Sequence, residues 1–112
     1  MDNIILIGSH KTIEILKDGG WVDGEEVGEQ SLGTLYGISN PMSYKMLKNF
    51  EAGKYTQQDQ VFYSKQYLDC QGAYTYMMDK SKKNIKYIVD DIKTWDDSIL
   101  VKYILKRCTN GQ

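Results

Sequence analysis

The order of apolar and polar residues is clearest near the end of the chain. Over Thr94–Cys108, TWDDSILVKYILKRC, the residues Leu100, Val101, Ile104, Leu105 and Cys108 fall on one broad arc at helical spacing. Thr94 or Asp96 can cap such a helix. Asp96 and Asp97 stand in its first turn, Lys106 and Arg107 in its last, and Asn110-Gly111 supplies a stop. That charge order complements a helix dipole, so the pattern predicts a helix over Thr94–Cys108. Trp95, Ile99 and Tyr103 recur at i, i+4 and i+8 on nearly the opposite side and form a second apolar stripe. It needs cover from the sheet, from another helix or from a partner.

Earlier in the chain the pattern is mixed. Ile4–Ile7 is a β-branched run ended by Gly8 and predicts a buried strand. Lys11–Lys17 reads as a short helix capped by Ser9 and stopped by Gly19-Gly20, or as a strand in which Ile13 and Ile15 alternate with Thr12 and Glu14. Asp23-Gly24, between Trp21-Val22 and Glu25–Val27, predicts a two-residue hairpin turn. Ser31–Ser39 has strand-like content interrupted by Gly33 and Gly37. Asn40-Pro41 opens a helix over Pro41–Ala52 with Met42, Met46, Leu47 and Phe50 as its apolar stripe. Thr56, with Asp59 three residues on, opens another that runs to about Cys70. Tyr74–Met78 reads as strand or as more helix, and the alternation of Ile85, Tyr87 and Val89 in Asn84–Asp91 reads as a short strand, with a helical turn as the alternative. Together these elements predict a single α+β domain over residues 1–112, a small sheet packed by about three helices.

Composition narrows the function classes. Apolar residues make up 41% and charged residues 26%, which fits a folded globular domain. No window approaches the roughly 18 apolar residues of a membrane span, and Asp2 and Asn3 stand where a secretory leader would carry basic residues. No membrane association and a cytoplasmic location are therefore expected. Net charge is −1, without the basic excess of a protein that binds nucleic acid mainly through phosphates. Two cysteines and one histidine cannot supply a structural zinc site without carboxylates, so neither a metal nor another cofactor is expected. There is no HExxH, GxSxG or CxxC and no glycine pattern that cradles a nucleotide, and the chain reads as a non-enzymatic protein.

Three candidate sites remain. The first is the stripe Trp95, Ile99 and Tyr103, read as a surface for a protein partner or a second copy, since Trp and Tyr are common interface anchors. The second is a segment, Glu29–Lys48, EQSLGTLYGISNPMSYKMLK, that resembles a helix-turn-helix unit, with Gly33 at the helix contact and Gly37 at the turn. The resemblance implies DNA binding, with Asn40, Met42, Ser43, Tyr44 and Lys45 facing the major groove and Lys45 and Lys48 near phosphates. The third is Gly8, Ser9 and His10, whose backbone amides at a strand–turn–helix junction would suit an anionic ligand or nucleotide. The leading expectation is a small protein that regulates or inhibits a protein partner, of the kind common among mobile-element accessory proteins. A DNA-binding regulator and a ligand binder around His10 are the alternatives.

Overall fold

The computed structural model describes residues 9–50, 52–78, 81–95 and 98–108. Its strands are β1 (Ser9–Val22), β2 (Glu25–Pro41), β3 (Gln60–Ser64), β4 (Tyr74–Met78), β5 (Asn84–Thr94) and β6 (Val101–Arg107), and its helix α1 is the single turn Tyr44–Leu47. The strands close into an antiparallel barrel in the order β1-β2-β3-β6-β5-β4. The expected α+β fold with three packed helices is therefore not the one adopted.

The two-residue turn forms where the sequence places it. Asp23 and Gly24 both take positive φ, 53° and 82°, and Val22 pairs with Glu25 across them. This is the geometry whose twist matches the flanking strands. In β1 the alternation of Ile13 and Ile15 decides the structure. Both are buried inside the barrel while Thr12 and Glu14 face out, so Lys11–Lys17 is strand and Gly19-Gly20 lies within β1 rather than ending a helix.

The three long helices fail for related reasons. Pro41 closes β2, and helix begins only after Ser43, whose hydroxyl accepts the Met46 amide at 3.1 Å; of Pro41–Ala52 only Tyr44–Leu47 is α-helical. Thr56 and Asp59 do contact one another as a cap would, with the Thr56 amide donating to Asp59 Oδ2 at 2.8 Å. They build a turn that leads into β3, and no helix runs to Cys70. Thr94–Cys108 is the end of β5, a connection, and β6. In β6, Val101, Tyr103 and Leu105 point into the barrel, while Ile104 points outward and is also fully buried. A strand covered on both faces presents a continuous apolar run, which spacing alone does not separate from a broad helical arc.

Two cores result. Inside the barrel, Ile13, Ile15, Leu35, Phe62, Val89, Tyr103 and Leu105 pack together. On its outer wall, the segment between β2 and β3 lays Met42 and Tyr55 over Val61 and Ile104. Tyr55 is fixed there by donating its hydroxyl to Asp90, by the edge of Phe50 at 4.8 Å, and by Lys54 and Lys106 beside its ring. Asp59, also buried, accepts the Arg107 amide at 2.7 Å and ties this layer to β6.

One end of the barrel is plugged by the connection from β3 to β4, which carries Leu68, Cys70 and Ala73 into the interior core. The Tyr103 hydroxyl, at the centre of that core, donates to the Gln66 carbonyl and accepts the Leu68 amide. Burial pushes its pKa from 10.0 up to about 12, and burial likewise pushes the Cys70 thiol from 9.0 up to about 11.

Candidate functional site

Strands β1 and β2 are much longer than their neighbours. β3 pairs with β2 only over Gly37–Pro41, and among the described residues the β1–β4 ladder has the single pair Leu16↔Tyr74. Beyond Lys17, from Asp18 to Gln30, the hairpin therefore runs past the barrel wall as an arm, with no ladder partner on either outer edge among the described residues.

The arm is uniformly acidic. Between Asp18 and Gln30 lie Asp18, Asp23, Glu25, Glu26 and Glu29 and no Lys or Arg, while the rest of the chain carries fourteen basic residues against ten acidic ones. A bulge between Ile15 and Leu16 marks its root. Bulges re-aim the strand that carries them.

A tyrosine clasp holds that root to β4. Asp18 and Glu29 are cross-strand partners. The Tyr74 hydroxyl lies 2.7 Å from Glu29 Oε2 and 3.1 Å from Asp18 Oδ1, so one phenolic proton faces two carboxylates. Tyr76 donates to the same Glu29 oxygen at 3.2 Å and packs edge-on against Tyr74. Lys86 sits over the Tyr74 ring, 4.2 Å from its centroid. Burial, then the hydrogen bonds to Glu29 and Asp18, hold the Tyr74 phenol well above its ordinary pKa; Tyr76 is raised in the same direction. The phenols thus stay protonated and keep donating.

No protein-family model matches the chain, and comparison with curated proteins and with solved structures gives no significant match either. The surfaces themselves carry the functional reading.

The residues singled out from sequence are dispersed. Tyr103 is buried in the barrel interior, whereas Trp95 and Ile99 are exposed between β5 and β6, so the three do not form one stripe. The stripe presupposes a helix that is not there. In Glu29–Lys48, everything up to Pro41 is strand, and the helix pair of a helix-turn-helix is not formed. Asn40 lies in β2, Tyr44 and Lys48 are exposed around α1, and Ser43 and Lys45 line a cavity of 260 Å³ with Met46, Asn49 and Lys102. Gly8 is outside the described residues, Ser9 and His10 are in β1, and the expected strand–turn–helix junction is absent. The His10 ring stacks on exposed Tyr36, with Nδ1 3.4 Å from its hydroxyl. Among the described residues there is no cluster of three His, Cys, Asp or Glu arranged to hold a metal, and no helix long and apolar enough to cross a membrane.

The acidic residues around the Asp23-Gly24 turn are plain in the sequence, but nothing local shows that the flanking strands outrun the barrel.

Proposed function

We propose that the protein is a binding module that takes a basic protein partner on the acidic arm of β1 and β2. The observation that carries this reading is the concentration of five carboxylates, with no cation, on a ribbon whose two edges have no strand partner among the described residues. Unpaired edges are templates for an added strand. Here their charge decides what can be added. A second copy would bring acid against acid, at a cost for like charges placed opposite one another, whereas a lysine- or arginine-rich strand meets complementary charge along the whole ribbon. Charge on an edge strand is a means of suppressing self-pairing, and on this arm it also selects the partner. The clasp of Tyr74 with Asp18 and Glu29 fixes the root, so less of the arm is left to order on binding.

The test uses two strand-forming peptides of the same length, one with Lys at alternate positions and one with Glu, and reads the amide resonances of the protein. The basic peptide should shift amides along residues 18–30, with affinity falling as salt rises, and Glu25→Gln with Glu26→Gln should weaken it several-fold. Equal binding of the acidic peptide, or shifts that avoid the arm, would defeat the reading.

A further inference from the structure

A different face of the molecule carries the opposite charge. Where the segment after β2 crosses the outside of β6, Ser43, Lys45, Met46, Asn49 and Lys102 line the 260 Å³ cavity, which is a depression open to solvent. Among the described residues that line it, two are cations, two are neutral hydrogen-bonding residues and none is acidic. Neither Lys45 nor Lys102 has a carboxylate partner among the described residues. Lys93 stands directly opposite Lys102 in the β5–β6 ladder and adds a third positive charge beside the cavity, although it is itself 3.7 Å from Asp91. We propose that this cavity is a binding site for the phosphate group of a small phosphomonoester.

Charge comes first. Lys102 is half-buried on the barrel wall and faces another lysine across the ladder. Burial, and then Lys93, lower its pKa from the ordinary lysine value. An anion between Lys45 and Lys102 relieves both effects, because it supplies a counter-charge that the described lining residues do not. Hydrogen bonding is consistent with an acceptor-rich guest. The Ser43 oxygen accepts the Met46 amide, which leaves its proton to donate elsewhere, and Asn49 offers an amide beside it. A phosphate brings three strong acceptor oxygens, and lysine binds such a group as a point charge.

The depression is large enough to seat a phosphate and a short group attached to it, and its open side lets the remainder of a ligand stay in water. Met46 gives the attached group one apolar contact.

The experiment titrates the full chain with inorganic phosphate and with glycerol phosphate at constant ionic strength, against chloride, following backbone amides. Saturable shifts confined to Ser43, Met46, Asn49 and Lys102 are expected. Lys102→Met should weaken binding at least ten-fold, Lys102→Arg should stay within a few-fold of the native chain, and both should keep the native amide spectrum elsewhere. The proposal is overturned if phosphate shifts lysine-bearing surfaces everywhere alike and chloride does the same. It is equally overturned if Lys102→Met binds as well as the native chain. Binding of a duplex oligonucleotide with no saturation by either small phosphate would overturn it in favour of a nucleic-acid face.

Discussion

The Tyr103 hydroxyl accepts the Leu68 amide at 2.9 Å and donates to the Gln66 carbonyl at 2.7 Å, so one side chain in β6 closes the end of the barrel by holding two backbone groups of a loop more than thirty residues away. The hydroxyl is fully buried, and water cannot replace it without opening the plug. Tyr103→Phe keeps the ring against Phe62 but leaves the amide and the carbonyl without this partner. A loss of about 1–3 kcal/mol is expected in urea unfolding, with hydrogen exchange at Leu68 accelerating more than at Val89.

The same side chain sets an alkaline limit. In the unfolded chain Tyr103 gives up its proton near pH 10.0, and in the folded protein near 12. The stability from this difference is complete below about pH 10 and is lost as pH rises toward 12. Cys70, raised from 9.0 to about 11, begins to act about one unit lower. The melting temperature should therefore fall from about pH 9 upward. Tyr103→Phe should flatten the part above pH 10 and leave the part below it in place. Tyr55 and Tyr74, also raised, keep some slope in the variant.

At Gly37 the backbone of β2 lies close against β3. A Cβ there would lie 1.9 Å from the Tyr63 carbonyl oxygen and 3.1 Å from Phe62. Neither a backbone carbonyl nor a fully buried ring can give way cheaply. Gly37→Ala should cost about 3 kcal/mol and broaden the amide resonances of β2 and β3 ahead of those in β5.

Asp59 joins the outer layer to the barrel through two backbone amides, those of Thr56 and Arg107. Asp59→Ala leaves both without the carboxylate and should lower stability by about 2–3 kcal/mol. Proteolysis is expected to begin within residues 42–59, since that layer loses its tie to β6. Cleavage starting elsewhere would show that Met42 and Tyr55 alone hold it.

Thr75 offers a change in the opposite direction. Its hydroxyl is buried in the barrel with no hydrogen-bond partner among the described residues. Thr75→Val keeps the shape and removes the unsatisfied group, so a gain of up to about 1 kcal/mol in thermal unfolding is expected. A loss of similar size would show that the hydroxyl is satisfied in solution.

What could be read from the sequence was what adjacent residues settle among themselves. Asp23 and Gly24 tolerate positive φ, so the hairpin turn is determined by them alone. Ile85, Tyr87 and Val89 alternate with polar neighbours or partly covered ones, and β5 forms there, extended to Thr94 by its pairing with β6. The Thr56 amide donates to the Asp59 carboxylate and the Thr56 hydroxyl accepts the Gln58 amide, yet the motif fits a tight turn as well as a helix start. Pairing of the next residues, Gln60–Ser64, with β2 and β6 decides for the turn.

The tertiary structure decided what depends on cover. Ile104 and Tyr103 are neighbours on opposite faces of β6, and both are fully buried because the barrel interior takes one and the layer of Met42 and Tyr55 takes the other. In sequence that double burial imitates the arc of a helix, and it made the most regular segment of the chain the most misleading one. The charge of residues 18–30 was likewise fixed by sequence, but that these residues form a projecting ribbon depends on where β3 and β4 stop pairing. Local backbone preference and charge belong to the sequence; which face is covered, and which edge is left open, belongs to the fold, because each depends on contacts between segments far apart in the chain.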